Sequence, residues 1–279
     1  MQLQAAAAML DPVSRDFYQS AIGYLQKAEI PFLVGGAYSY ARHTALERHT
    51  KDFDIFVRPG DSQRALSTLA SGGYEVELKF PHWLGKAFSG DNCIDVIFSS
   101  GNGLVRVDDD WFKHAIAGHV FDIEVLLCPV EETIWSKAFV MERERFDGGD
   151  VAHLIRGSGR EIKWARLLER FGPHWRVLLS HLVMFGFIYP GERDIIPAWV
   201  LDELMNRLRR ETAAPPPSER ICQGTLLSRA QYLVDIENWG YADARLVEHS
   251  MQQQDIDLWT DAIATEQPTP ATRPVFRSE

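Results

Sequence analysis

The chain has 279 residues, of which 46% are apolar and 24% charged, and its formal net charge is −10. This composition is typical of a globular protein with room for one large or two modest domains. The acidic balance argues against broad attraction to nucleic-acid backbones or anionic membranes. Three widely spaced cysteines indicate neither a disulfide framework nor a zinc knuckle, and the first residues do not resemble a signal peptide. We therefore expect a cytoplasmic protein.

Helix and strand signals alternate in the first third of the chain. Asp11-Pro12 is typical of a helix start, because aspartate caps a helix and proline is tolerated in its first turn. After that helix the pattern predicts a strand at residues 32–34, a helix at 37–46, a strand at 52–57, a helix at 62–70 and a strand at 74–78.

The middle of the chain combines strand signals with one strong helix. Pro129 opens a predicted helix that runs from Glu131 to Arg145, with acidic residues in its first turn and basic residues in its last. Asp147 and two glycines end it. The other elements predicted here are strands at 86–88, 93–98, 104–107 and 120–127, and helices at 111–117 and 151–156.

Helical signals dominate from residue 160 onward. The apolar stretch at 175–189 is shorter than the roughly 20 residues that cross a membrane, so a buried helix is predicted there. The change near residue 157 predicts a first domain at 1–157, a helical domain at 158–264 and a disordered tail at 265–279. The helices predicted in this part lie at 161–171, 175–189, 197–211 and 225–239.

Gly35 and Gly36 separate the predicted strand at 32–34 from the helix at 37–46. Because glycine lacks a Cβ atom, the backbone of such a turn can approach a ligand closely. The N-terminus of the following helix presents free N–H groups, which favour phosphate. By itself, a glycine pair predicts an ordinary turn as readily as a phosphate site.

The segment 50–57, TKDFDIFV, alternates acidic and apolar residues at the period of a strand. Asp52 and Asp54 are therefore expected on one face, where two carboxylates repel each other unless a cation lies between them. Mg²⁺ prefers oxygen ligands and commonly links carboxylates to substrate phosphates, which predicts a magnesium site beside the glycine turn. The alternative is an exposed edge strand with a solvated acidic face.

Asp95 is the only charged residue in the predicted strand at 93–98. A single carboxylate among apolar residues is costly to bury unless it is paired or binds a metal ion. As a third acid beside Asp52 and Asp54, it would complete a cluster of the kind that holds two metal ions about 4 Å apart. A salt-bridged acid is the alternative interpretation.

These motifs, Gly35-Gly36, Thr50-x-Asp52-x-Asp54 and the isolated Asp95, resemble the polymerase-beta-type nucleotidyltransferase superfamily, in its minimal antibiotic-modifying and toxin-like branch. The resemblance covers roughly residues 30–157. It implies an α+β fold with a mixed-sheet nucleotidyltransferase core and flanking helices, followed by an all-helical C-terminal region.

The resemblance also implies roles for the acidic residues. Asp52, Asp54 and Asp95 would be the catalytic and metal-binding carboxylates and would hold two Mg²⁺ ions, with Mn²⁺ as an alternative. Asp95 would hold the catalytic ion and help to deprotonate the acceptor hydroxyl.

Nucleotide contacts are implied for Gly35, Gly36, Thr50 and Lys137. Lys137 matches the position from which a lysine approaches the nucleotide phosphates in this branch; a surface pair on a solvated helix face is the alternative. Asp150 is interpreted more readily as a helix cap than as a site residue.

Other polar residues near these motifs receive weaker interpretations. Surface roles are expected for Lys51 and Arg58, which flank the acidic strand. Four side chains could line the mouth of the site: His43, His49, His82 and Trp83. The spacing of the histidines does not support zinc binding.

The implied activity is magnesium-dependent transfer of a nucleoside monophosphate from an NTP to a hydroxyl group, with release of pyrophosphate. The acceptor is left open among a small molecule, a protein and a tRNA end; no membrane and no bulk nucleic-acid partner is expected. One alternative is a nucleotide-binding or sensing module that keeps the fold and does not transfer. Another is a metal-dependent phosphohydrolase, which usually adds histidine ligands that the predicted strands lack.

Overall fold

The computed structural model describes residues 11–46 and 52–266. No helix within these ranges is both long enough and apolar enough to cross a membrane. The strands of the main sheet are β1 (Leu33–Val34), β2 (Asp52–Phe56), β3 (Glu75–Phe80), β4 (Leu84–Ser89), β5 (Asn92–Ile97), β6 (Ile116–Val120) and β7 (Ile123–Leu127).

The helices flank this sheet and continue past it toward the C-terminus. Those associated with the sheet are α1 (Pro12–Lys27), α2 (Gly36–Thr44), α3 (Ser62–Ser71), α4 (Asp109–Lys113), α5 (Val130–Ala138) and α6 (Gly148–Ser158). Those that follow are α7 (Trp164–Phe171), α8 (Trp175–Ile188), α9 (Ala198–Ala213), α10 (Leu233–Glu237), α11 (Ala244–Val247) and α12 (Gln253–Glu266).

Seven strands of the described chain form one mixed sheet in the order β3-β4-β5-β2-β1-β7-β6. The pairs β2·β5 and β1·β7 are parallel, and the remaining neighbours are antiparallel. The predicted fold class, a mixed sheet with flanking helices and a helical C-terminal region, is confirmed. Strand β5 lies between β4 and β2, and β2 lies between β5 and β1, so neither acidic strand is at an edge of the sheet.

The burial pattern of β2 shows which face the aspartates occupy. Phe53 and Ile55 are each 1% exposed and belong to a core that also contains residues of α1 and α3. Complete burial of such a side chain contributes about 1.5–3 kcal/mol. Asp52 and Asp54 take the opposite face, as the alternation predicts.

A second core joins the sheet to the C-terminal helices. It contains residues on both sides of position 157, such as Ile134 of α5 and Leu178 of α8, which are both fully buried. The division into domains at 157 stays a prediction. Most of the predicted disordered tail lies outside the described residues, although α12 reaches Glu266.

The region between residues 104 and 127 differs from the prediction. Residues 104–107 form no strand, α4 is shorter than predicted, and the predicted single strand at 120–127 is the hairpin β6–β7. Its turn residues Phe121 and Asp122 have φ angles of 53° and 65°, as a type I′ turn requires. Phenylalanine is uncommon in that conformation, which is why the turn had no clear signal.

The helix predicted from Glu131 to Arg145 is wrong in its second half. Helix α5 ends at Ala138, and the chain then forms a bridged turn between Met141 and Phe146. The cause is non-local, because the Met141 N–H donates to the Leu227 carbonyl at 3.1 Å.

The predicted helix at 225–239 is also wrong. The chain there forms a 3₁₀ turn at Gln223–Leu226 and the short α10. Two short parallel strands, β8 (Ile221–Cys222) and β9 (Ala242–Asp243), pair where no strand is predicted. The C-terminal region is therefore mainly, but not entirely, helical.

Candidate active site

The glycine turn is built around the side chain of Asp54. Gly35 follows β1, and Gly36 begins α2 with a φ angle of +52°, so the predicted strand, turn and helix are confirmed. A Cβ atom at Gly36 would lie 1.7 Å from Asp54 Oδ2, so any other residue there would have to displace the Asp54 carboxylate at a backbone angle that favours glycine. The Gly35 N–H donates to the Asp54 carbonyl at 3.0 Å, so it is used within the sheet and is not free for a ligand.

The three predicted carboxylates lie on two adjacent parallel strands. Asp54 of β2 is in register with Asp95 of β5, and Asp52 is in register with Cys93. Neighbouring strands are about 4.8 Å apart, and residues in register point to the same face. The structure therefore brings Asp52, Asp54 and Asp95 to one face beside the glycine turn.

Asp54 has a strongly raised pKa. Burial, followed by the negative charges of Asp95 and Asp52, raises the pKa of Asp54 from 3.8 to about 7, and the charges of Lys137 and Lys86 oppose this rise. Among the described residues, none donates a hydrogen bond to the Asp54 carboxylate, and none forms an ion pair with it. Asp54 thus occupies a place where an added positive charge would be stabilised.

Asp95 has a partner that the sequence analysis missed. Lys86 Nζ lies 2.6 Å from Asp95 Oδ1, and the two side chains are only 23% and 17% exposed. Lys86 is directly opposite Asp95 in the antiparallel pair β4·β5, whose two-residue turn consists of Gly90 and Asp91. Counting back from this Gly-Asp turn would have placed Lys86 opposite Asp95. The alternative interpretation of Asp95 as a salt-bridged acid is thus also supported.

Lys137 belongs to a second charged group on the same side of the molecule. Its Nζ lies 2.8 Å from Asp150 Oδ2 and 3.2 Å from Asp147 Oδ2, and Arg145 also pairs with Asp147 at 3.0 Å. The charges of Lys137 and Arg145 act on Asp54. The interpretation of Lys137 as a solvated surface residue is wrong, because its side chain is 20% exposed and doubly paired.

Asp150 does not cap the helix that follows the core. Helix α6 begins at Gly148, with Asp147 at the capping position, so Asp150 lies in the first turn. Its carboxylate binds Lys137 instead. The cap interpretation is therefore wrong. The loop from Phe139 to Asp147 returns the chain to α5, so that Asp147 and Asp150 contact Lys137.

The remaining predicted residues are distributed over the molecule. Thr50, together with His49 and Lys51, lies outside the described residues. Arg58 pairs with Asp109 at 2.5 Å, as its expected surface role implies. His43 is buried and donates from Nε2 to the Cys128 carbonyl at 2.9 Å, so it does not line a site mouth.

The loop residues His82 and Trp83 also have structural partners. His82 Nε2 donates to the Gly101 carbonyl at 3.0 Å, and Trp83 stacks on Phe80 with ring centroids 5.8 Å apart. These contacts hold the turn between β3 and β4 against the chain that follows β5. Nothing in them indicates a ligand site.

The face of β2 and β5 that carries Asp52, Asp54 and Asp95, here called the strand face, has ligand atoms that suit Mg²⁺. Carboxylate oxygens are its preferred protein ligands, and the raised pKa of Asp54 reflects a local need for positive charge. Asp52 and Asp54 fit such an ion, whereas Asp95 already accepts the Lys86 ammonium group. In the part of the chain that the structure describes, no group of three or more His, Cys, Asp or Glu side chains is arranged to hold a metal ion, so the two-ion site stays a prediction.

No protein-family model matches the sequence, and the search of curated proteins found no match. The fold is similar to a solution structure of the antibiotic-resistance factor ANT(2'')-Ia, with a TM-score of 0.42 and 14% identity over 63% of this chain and 97% of that chain. It is also similar to the lincosamide antibiotic adenylyltransferase LnuA with lincomycin bound, with a TM-score of 0.35 and 13% identity over 50% of this chain and 94% of that chain. A third similar structure is ANT(2")-Ia in complex with adenylyl-2"-tobramycin, with a TM-score of 0.38 and 12% identity over 70% of this chain and 99% of that chain.

Proposed function

We propose that this protein is a magnesium-dependent nucleotidyltransferase that moves a nucleoside monophosphate from an NTP to a hydroxyl group of an acceptor. The observation that carries the proposal is the shared face of Asp52, Asp54 and Asp95 beside a glycine turn that packs directly against the Asp54 carboxylate. A sheet position that raises the pKa of a carboxylate to about 7 is destabilising unless a ligand uses it.

The roles of the described residues follow from their positions, and that of Thr50 from the sequence motif alone. Asp52 and Asp54 would hold Mg²⁺, which when bound neutralises phosphate charge and stabilises the leaving group. Lys137, with Thr50 and the glycine turn, would bind the nucleotide phosphates. Lys137 would have to share its ammonium group with Asp147 and Asp150, which also fix its position.

The chemical step is an in-line displacement at the α-phosphorus. The acceptor oxygen forms a bond to that phosphorus, the bond to the bridging oxygen breaks, and pyrophosphate leaves. Asp95 would take the hydroxyl proton through Oδ2, because its Oδ1 accepts the hydrogen bond from Lys86. Positioning and charge neutralisation supply most of the rate enhancement.

The test is transfer of label from each of the four α-labelled NTPs, with Mg²⁺ or Mn²⁺ and a cell extract as the source of acceptor. Wild type is compared with the double variant D52A/D54A, and with E77Q, which changes an exposed acid on β3. We expect label and pyrophosphate release from wild type and E77Q only, and the labelled product identifies the acceptor as small molecule, protein or RNA. If no label moves while wild type binds an NTP in a metal-dependent way, the protein is a nucleotide-binding module instead.

A further inference from the structure

Lys86 contacts the proposed site, although it belongs to none of the predicted motifs. It lies on β4 directly opposite Asp95, with 2.6 Å between Nζ and Oδ1. The register is fixed by a hairpin turn of only two residues, so the lysine cannot move along the strand without breaking the ladder.

We propose that the Lys86 ammonium group takes the place of a second metal ion beside Asp95, so that the site binds one divalent cation instead of two. This inference rests on the proposed function, since it concerns the metal content of the same site. It assigns the single ion to Asp52 and Asp54 and makes Lys86 a positioning residue that acts through Asp95.

The first argument is the shielding of the ion pair. The Lys86 and Asp95 side chains are mostly buried, at 23% and 17% exposed, so water screens their attraction only partly. A metal ion at Asp95 would have to displace the ammonium group or lie beside it. If the metal ion displaced the ammonium group, a mostly buried lysine would lose its carboxylate partner. If it lay beside the ammonium group, two positive charges would be in contact.

The second argument is the position of Lys86 relative to the acidic residues. It lies directly opposite Asp95 across β4·β5, and Asp95 is in register with Asp54 on the neighbouring strand. Asp52 lies two residues from Asp54 and therefore on the same face. One fixed ammonium group is thus held next to the acidic face, on the side where a second metal ion would bind.

Lys137 is not placed for the same task. Its Nζ is held by Asp147 and Asp150 at 3.2 and 2.8 Å, away from Asp95. Lys86 forms its ion pair with Asp95 itself, which leaves Oδ2 of that carboxylate for the acceptor hydroxyl. The two lysines thus divide the positive charge between the acceptor side and the phosphate side of the site.

The experiment counts Mn²⁺ ions bound in the presence of an NTP analogue that carries a methylene group between the α- and β-phosphates. Equilibrium dialysis gives the stoichiometry, corrected for the ion held by free analogue. Electron paramagnetic resonance distinguishes an isolated ion, with six lines, from two ions about 4 Å apart, which couple magnetically. The variants are K86M, which keeps the length of the side chain, K86R, which keeps its charge, and K79M, which removes an exposed lysine on β3.

We expect one isolated Mn²⁺ per chain in wild type, K86R and K79M, and a second, coupled ion in K86M. Two coupled ions in wild type, no bound ion in wild type, or a single ion in K86M would each overturn the inference. If K86M does not fold, K86Q replaces it, and the wild-type count remains decisive. If wild type transfers label and binds two ions, the proposed function stands and the one-ion inference fails. If wild type binds one ion but transfers no label, the one-ion inference stands and the proposed function fails.

Discussion

Two groups of charged side chains in this molecule are built in opposite ways. Between α5 and α7, Glu132 is fully buried and is bonded by both Arg166 and Arg170, the latter at 2.8 Å. On the strand face, the charges that act most strongly on Asp54 are those of two other carboxylates, and its carboxylate forms no ion pair within the described residues. The first group balances its charges with arginine, and the second concentrates negative charge.

The titration of the acids reflects this difference. Burial raises the pKa of Glu132 above 4.5, although the hydrogen bond from Arg166 and the charges of Arg166 and Arg170 oppose this rise. At Asp54, the two largest contributions after burial add to the rise, and the pKa reaches about 7. Arginines thus oppose the rise in pKa at Glu132, whereas carboxylates add to it at Asp54, and strongly perturbed acids of the second kind are concentrated at functional sites.

The largest expected effect comes from D54N, which removes the charge at the centre of the strand face. Nucleotidyl transfer should fall by roughly 10³-fold or more, because a metal-binding carboxylate is lost while the shape is kept. The measurement is incorporation of α-labelled NTP, with E77Q as the control. Transfer within a factor of ten of wild type would contradict the assignment.

The same variant should make the metal-free protein more stable. Because the pKa of Asp54 is raised from 3.8 to about 7 in the fold, its charge destabilises the fold increasingly from about pH 4, and fully above pH 7. In buffer with a chelator at pH 8, D54N should raise the free energy of unfolding by about 1 kcal/mol or more, since one pKa unit corresponds to about 1.4 kcal/mol. Denaturant titration tests this, and the gain should vanish near pH 4.

Breaking the balanced group should have the opposite outcome. R166M leaves Glu131 and Glu132 buried with fewer partners and should lower the free energy of unfolding by about 3 kcal/mol. The matched control is R176M, which breaks an exposed pair with Glu211 and should cost at most about 1 kcal/mol. Equal losses in the two variants would mean that burial does not separate these pairs.

The fit of the glycine turn against the strand face can be tested with G36A. The new Cβ would overlap Asp54 Oδ2 at a backbone angle that favours glycine, so we expect a loss of about 1–3 kcal/mol in stability together with reduced transfer. Gly60 has open space at its Cβ position and an ordinary φ angle, so G60A should change stability by less than about 0.5 kcal/mol. Thermal unfolding of both variants gives the comparison.

The smallest effect concerns a buried group that stays neutral. His181 donates from Nε2 to the Ala138 carbonyl at 2.8 Å, and burial lowers its pKa below 6.5. The contribution of neutral His181 to stability is therefore fully present above about pH 6.5 and decreases as the pH falls, because the unfolded chain binds the proton more readily. Between pH 7.5 and 5.5, H181Q should lack this part of the pH dependence of the unfolding free energy; the same pH dependence in H181Q and wild type would contradict this.

How far the sequence predicts the structure depends on the range of the interaction. The period of residues 52–57 was sufficient to place Asp52 and Asp54 on one face, and the isolated charge of Asp95 marked it as unusual. The end of α5 at Ala138 depends on the carbonyl of Leu227, which no local pattern reveals. The loop that brings Asp147 and Asp150 to Lys137 was missed for the same reason.

Lys86 is an intermediate case. Its charge type is unremarkable for an exposed strand, yet its partner follows from a turn of two residues, Gly90 and Asp91, once β4 and β5 are known to form a hairpin. The alternation in each segment predicts a strand but does not specify which strands pair. The order of the sheet, with β5 beside β2, cannot be counted in this way because long connections separate the parallel strands.

The short turn at Gly90 and Asp91 also has an evolutionary consequence. A single-residue insertion there would shift the pairing of β4 by one position, so the lysine would face the opposite side of the sheet. Selection that preserves the lysine must therefore preserve the length of the turn as well. In homologous sequences, an insertion or deletion at this point should coincide with the loss or relocation of the lysine, so the two features would be inherited together.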